Sequence, residues 1–304
     1  MNGLTRRWAA AGVLLGTFLS LSASSEEIQK TFASPQEAVG ALVKACRHND
    51  TKALMGIFGP DGKDIVLSGD RREDKHGRKK FAEMAEHKIA FKDDAAGPDK
   101  VLVALGDEDW PFPVPLVRVE GRWRFDPAEG RQEILARRIG SNEINAVAIC
   151  RGYVEAQEEY AQDHNRDGVP EYAMKMMSSW SKWDGLYAKH GVGANKIHVT
   201  KGFATAARRA NRGKPYHGYF FKVLTAQGPD APGGKANYVL KSRMIGGFAL
   251  AAWPAEYGVS GVKSFIVADE GIVYEKDLGP DSAKDAEAMT EFNPDKSWAP
   301  APKD

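Results

Sequence analysis

Twice along this chain, apolar residues at helical spacing give way to a run of strand-like segments. That order restricts the folds open to it. The first pass opens with FASPQEAVGALVKACRHNDTKALMGIFG. Ser34, Pro35 and Glu37 supply an N-cap, a proline at the first helical position and an acid at the third, a capping-box pattern. Val39, Leu42, Val43 and Cys46 then recur at helical spacing, Asn49-Asp50 stops the helix, and a second short helix carries Leu54, Met55, Ile57 and Phe58. Strand-like runs follow at 87–91, 100–105, 112–120 and 122–126, with Gly121 marking a tight hairpin. The second pass starts at Asp126-Pro127-Ala128-Glu129, again a capping pattern, and predicts a long helix broken near Gly140-Ser141. Ala146, Cys150, Tyr153, Val154, Gln157, Tyr160 and Ala161 lie along one stripe of it. Strand-like runs at 218–226, 238–240, 246–255 and 263–277 follow, with Asp269-Glu270-Gly271 as a hairpin turn and a short helix near 282–290.

Helices before antiparallel strands, twice, spell α+β. The expected architecture is a helix-then-curled antiparallel sheet module over 30–126, followed by a long helix packed on an antiparallel meander over 127–304. A curled sheet of the first kind can enclose a conical cavity.

Residues 1–25 read as a signal peptide: Arg6 and Arg7 precede an apolar run of about 15 residues, and Ala23, Ser24 and Ser25 offer a cleavage site. The run is short of the ~20 residues a membrane span needs. No cysteine follows it for lipid attachment, and no later segment is apolar enough to cross a bilayer. The expected location is periplasmic or secreted. The formal charge of +1 becomes −1 once Arg6 and Arg7 are removed, which advertises neither nucleic acid nor an anionic membrane surface. The basic stretch RREDKHGRKK (71–80) is interrupted by Glu73 and Asp74 and reads as a solvated face. Cys46 and Cys150 leave two readings open, one disulfide or two buried thiols.

The candidate metal site is DHNRDGVPEY, residues 163–172. In a calcium loop of the helix–loop–helix type, Asp163, Asn165 and Asp167 would be positions 1, 3 and 5. Gly168 would be the sharp turn, Val169 the carbonyl ligand and Glu171 position 9. Met174 stands where a bidentate Glu belongs, and Pro170 has no N–H. Either the loop is a weak calcium site, of the order of 10⁻⁴–10⁻³ M, or it is a turn with Gly168 left-handed. Calcium is the one cofactor the sequence suggests.

Other motifs carry less. GPDAPGGKA (228–236) has Gly234 where a phosphate loop has Lys, and Ala236 where it has Ser or Thr. Ser260 in YGVSGV misses the nucleophile-elbow spacing. His190, His198 and His217 share no metal spacing. The expectation is that Trp180, Trp183 and Tyr187 fold against their domain, and that Trp110 and Trp123 are core.

Taken together, CRGYVEAQEEYAQDHNRDGVPEYA, GYFFKVLTAQGPDAPGGKANYV, GGFALAAWPAEYGVSGVKSFIVADEGIVYEKDLGPDS and FASPQEAVGALVKA resemble a family of exported bacterial proteins, domain of unknown function 2950. The resemblance covers nearly the whole chain after the signal and implies no activity. Within the family the loop after the long helix has the form Asp-x-Asp-x-Asp-Gly, and Asn165 replaces the middle acid here. The first half is also similar to nuclear transport factor 2-like proteins and the second to pilin-like globular domains, as fold analogies. The chain is accordingly expected to be a non-catalytic cell-envelope protein that binds or scaffolds a partner, an envelope protein or small ligand. The other reading is a periplasmic enzyme, such as a hydrolase, with a cavity active site.

Overall fold

The computed structural model describes residues 29–94, 97–166, 168–190 and 196–302. Residues 1–25, expected to be a signal peptide, lie outside them. The chain divides into two compact units between Glu129 and Gly130, and the fold is α+β.

In the first unit α1 (Pro35–Arg47) starts where the capping pattern places it. Ser34 Oγ accepts from Glu37 N at 3.1 Å, and the Glu37 carboxylate returns to Ala33 N at 2.8 Å. Asp50 caps α2 (Thr51–Phe58) in the same way. After α3 (Lys63–Val66), α4 (Arg71–His87) takes in the whole basic stretch. It buries Phe81, Ala82 and Ala85, so its charged residues form the exposed face. Arg78 is the exception. Its guanidinium donates to Asn49, Thr51 and the Val66 carbonyl at 2.7–3.0 Å, which ties α4 to the α1–α2 corner.

The strands are β1 (Ile89–Asp94), β2 (Gly97–Leu105), β3 (Trp110–Pro111), β4 (Leu116–Val119) and β5 (Arg122–Phe125). They pair antiparallel in the order β1-β2-β4-β5, with β3 on β2. The β4–β5 turn has Glu120 at φ 51° and Gly121 at φ 78°, both left-handed, as a two-residue hairpin requires. Val103, Leu105, Leu116 and Phe125 project from the sheet onto Val39, Leu42, Leu54 and Phe58 of the helices, all buried. Phe58, Phe81, Phe112 and Phe125 stack at centroid distances of 5.1–6.1 Å. Aromatic rings thus fill the side of the sheet that faces the helices. Trp123 joins this core, but Trp110 is 39% exposed. The two-residue β3 places it at the sheet margin beside Leu105.

The second unit is organised by α5 (Pro127–Asp163), whose start is capped by Asp126 Oδ1 at 3.0 and 3.1 Å from the amides of Ala128 and Glu129. Gly140-Ser141 does not break it. A helical glycine costs only about 1 kcal/mol and keeps its backbone hydrogen bonds. The stripe from Ala146 to Ala161 is buried as its spacing demands. Then come the short β6 (Asn165–Arg166) and β7 (Val169–Pro170), α6 (Lys201–Ala210), β8 (Tyr219–Leu224), β9 (Ala226–Gln227), β10 (Ala236–Asn237), β11 (Val239–Leu240) and β12 (Arg243–Met244). The chain closes with β13 (Ala249–Pro254), β14 (Lys263–Ala268), β15 (Tyr274–Asp277), α7 (Ser282–Ala288), β16 (Glu291–Phe292) and β17 (Ala299–Pro300). The main sheet is antiparallel in the order β17-β15-β14-β13-β8. Every residue of β13 is buried, which explains its unbroken apolar sequence.

Gln157 is wholly buried and fully used. Its amide donates to Tyr153 Oη and the Ala173 carbonyl, and its carbonyl accepts from Ala173 N, each at 2.8 Å. It fastens the segment after β7 onto α5. Both cysteines are free and buried, Cys46 in the core of the first unit and Cys150 in that of the second. Burial pushes the Cys46 thiol up to about 11 against the weaker pull of Arg78, and Cys150 up to about 12 against Arg151.

Candidate functional site

The stretch 163–171 forms a β-hairpin at the end of α5. Asn165 pairs with Pro170 and Arg166 with Val169, and Gly168 between them is left-handed at φ 73°. Asp163, Asn165 and Val169 are exposed. Glu171 turns to Arg243 on β12, its Oε2 accepting from Nε at 2.8 Å, while its amide donates to the His164 carbonyl at 3.0 Å. Asp167 lies outside the described residues. Among the described residues no group of three His, Cys, Asp or Glu side chains is placed to hold a metal ion.

The other motifs are absorbed by local structure. In the glycine-rich loop, Asn293 brackets Asp230, accepting from its amide at 2.8 Å and donating to its carboxylate at 2.9 Å. Gln227 Nε2 donates to the carbonyls of Pro232 and Gly234. Ser260 closes a turn on Glu256. The adjoining Gly261 is obligatory, because a Cβ there would lie 2.0 Å from Tyr219 Oη. The three histidines go to different neighbours: His190 to Trp180, His198 to Glu159 and His217 to Tyr216.

What the structure does assemble is a cleft of about 360 Å³ at the C-terminal end of α6. Thr200 caps this helix through Phe203 N at 3.1 Å, and Phe203, Ala206 and Ala207 bury its inner face. Thr205 and Arg208 fall at i and i+3 on the outer face of α6, and Arg212 follows in the turn after the C-cap Asn211. They line the cleft with Arg209, Asn211, Lys189 and, as its apolar wall, Met177. Arg209 Nε is engaged by the Pro215 carbonyl, and half-buried Arg208 donates to Thr205 Oγ1 at 3.1 Å. Among the described residues none of the four cations is in an ion pair, and no acid lines the cleft. The negative end of the α6 macrodipole, about half a charge, offsets only a fraction of this.

Beside the cleft runs the tryptophan-bearing loop 178–187. Trp183 folds in as expected, edge-on to Tyr160 and His164, which are themselves stacked at 3.8 Å. Trp180 does not, and stands 77% exposed. Asp184 fixes the loop, accepting from Ser179 N at 2.7 Å, Ser179 Oγ at 2.9 Å and Lys175 Nζ at 2.7 Å. Burial works to raise the Asp184 carboxyl, but the bonds from Lys175 and Ser179 outweigh it and hold it below the usual carboxylate range.

Sequence reasoning missed this cleft, although a signal was there. Between Asp184 and Asp230 the chain has no acid but eight Lys and Arg residues. A net charge near zero conceals such a segment.

No curated protein and no solved structure matches the chain. Residues 29–301 match the family described as "Protein of unknown function (DUF2950)", and the chain belongs to that family.

Proposed function

We propose that this is an exported, non-catalytic binding protein of the cell envelope, and that the cleft at the end of α6 receives an anionic group of its ligand or partner. One observation carries the reading: Lys189, Arg208, Arg209 and Arg212 converge on a cleft without an acid in its lining. Like charges held together repel, so an anion entering the cleft relieves a strain that the fold leaves uncompensated. The guanidinium groups also favour binding over proton transfer. Arginine stays protonated at any working pH and offers five fixed donors that match a carboxylate or phosphate. General acid–base catalysis needs a group that titrates near that pH.

The test is a calorimetric titration of the mature chain with inorganic tripolyphosphate at low salt. Saturable binding is expected, falling as salt is raised. Arg208→Ala and Arg212→Ala should each weaken it by about 10-fold or more, the worth of one charge-assisted hydrogen bond. Binding that ignores both substitutions, or no binding, contradicts the proposal.

A further inference from the structure

We infer that the anionic ligand is an acidic saccharide, held by the four cations of the cleft and stacked on Trp180 at its rim. The inference rests on the cleft being an anion site and adds the aromatic platform. Two connections bring the indole near the cleft. Met177, which lines the cleft, lies three residues before Trp180. On the other side the Trp180 ring lies 6.3 Å from that of His190, the residue next to the cleft-lining Lys189.

Among the described residues Trp180 is the most exposed of the large apolar side chains, at 77%. A disordered loop would make that exposure unremarkable, but this loop is fixed. Asp184 holds Ser179 through backbone and side chain, and Ser178 N donates to the Tyr187 carbonyl at 2.8 Å. A rigid indole with an open face is a preorganised platform, so little ordering is lost when a ligand stacks on it. The apolar faces of a pyranose suit such a platform. Sugar hydroxyls suit the neutral amide of Asn211 on the cleft wall, and a carboxylate on the ring suits the arginine forks. A simple inorganic anion would use the cations and leave the platform idle. A nucleic acid could use both, but it brings a phosphate with every nucleotide along a strand, whereas the cations here are gathered in one cleft. An exported protein meets acidic glycans at the cell surface, which accords with the compartment proposed above.

The test uses four probes on the mature chain: trigalacturonate, neutral maltotriose, inorganic tripolyphosphate and a thymidine hexanucleotide. Trigalacturonate should bind about 10-fold or more tighter than maltotriose and shift the tryptophan emission. Trp180→Ala should weaken trigalacturonate about 5–10-fold, the range for truncating an aromatic anchor, while leaving tripolyphosphate unchanged. Trp180→Phe should restore most of the loss, and both variants should fold normally because the side chain is exposed. If Trp180→Ala leaves trigalacturonate binding intact, or maltotriose binds equally well, the saccharide inference fails and the anion cleft stands. Tighter binding of the oligonucleotide, lost in Trp180→Ala, replaces the saccharide with nucleic acid. If none of the anions binds, both readings fail.

Discussion

The C-terminal ends of α5 and α6 treat their charges in opposite ways. At the end of α5, Glu159 accepts from both the backbone and the ring of His198, and beyond the helix Glu171 is matched by Arg243. At the end of α6, Arg208 and Arg212, with Lys189 from the segment before the helix, line a cleft with no acid in its lining. The first unit follows the α5 pattern, pairing Lys88 with Asp109, Arg118 with Asp99 and Arg47 with Glu86. A charge matched inside the molecule serves its structure. A charge left unmatched on a rigid helix end is available to something else, and we locate the binding role on that difference.

The contrast breaks down if the two helix ends respond alike to substitution. The largest expected effect is on binding: the double variant Arg208→Ala/Arg212→Ala should lose about 100-fold or more of tripolyphosphate affinity. Its stability should fall by no more than about 1 kcal/mol, since Arg212 is exposed and half-buried Arg208 gives up one side-chain hydrogen bond, to Thr205. Glu171→Ala should do the reverse. It leaves the partly buried Arg243 without its anion and should destabilise by about 1–3 kcal/mol in a denaturant melt, with anion affinity unchanged.

Next comes Asp184→Asn, which weakens the Lys175 and Ser179 bonds and should destabilise by about 1–2 kcal/mol. Because folding lowers the Asp184 pKa, its contribution is fully present above the ordinary carboxylate value near 3.9. It is lost as pH falls through the folded value. Wild-type protein should therefore lose stability in acid more steeply than Asp184→Asn, and equal slopes would remove Asp184 from the account. The smallest effect concerns calcium. With Glu171 committed to Arg243, millimolar calcium should shift the melt by less than about 1 °C relative to chelator. A rise of several degrees would mean that Asp163, Asn165 and Asp167 gather an ion after all.

Much of the fold was legible because it rests on local chemistry. Ser34 and Asp126 cap the helices they precede, Asn49-Asp50 ends α1, Gly121 makes its hairpin, and the stripe from Ala146 to Ala161 is buried as its spacing requires. What escaped was of three kinds. α6 went unread in KGFATAARRA, although Phe203, Ala206 and Ala207 recur at helical spacing opposite its polar face, because the segment is short and its buried stripe is mostly alanine. The cleft depends on where cations lie relative to acids, and total charge averages that away. Trp180 and Trp183 stand three residues apart in one loop, yet one is exposed and the other packed. Only the tertiary position of Tyr160 and His164 decides which.

The most direct test of the central claim maps where an acidic ligand lands. Amide, arginine Nε–H and indole N–H resonances of the protein would be followed by NMR as trigalacturonate is added. The account predicts shifts concentrated at Lys189, Arg208, Asn211, Arg212 and the Trp180 indole, with the 163–171 hairpin and the first unit quiet. Shifts centred on the hairpin or the first unit, with the end of α6 unmoved, would contradict it.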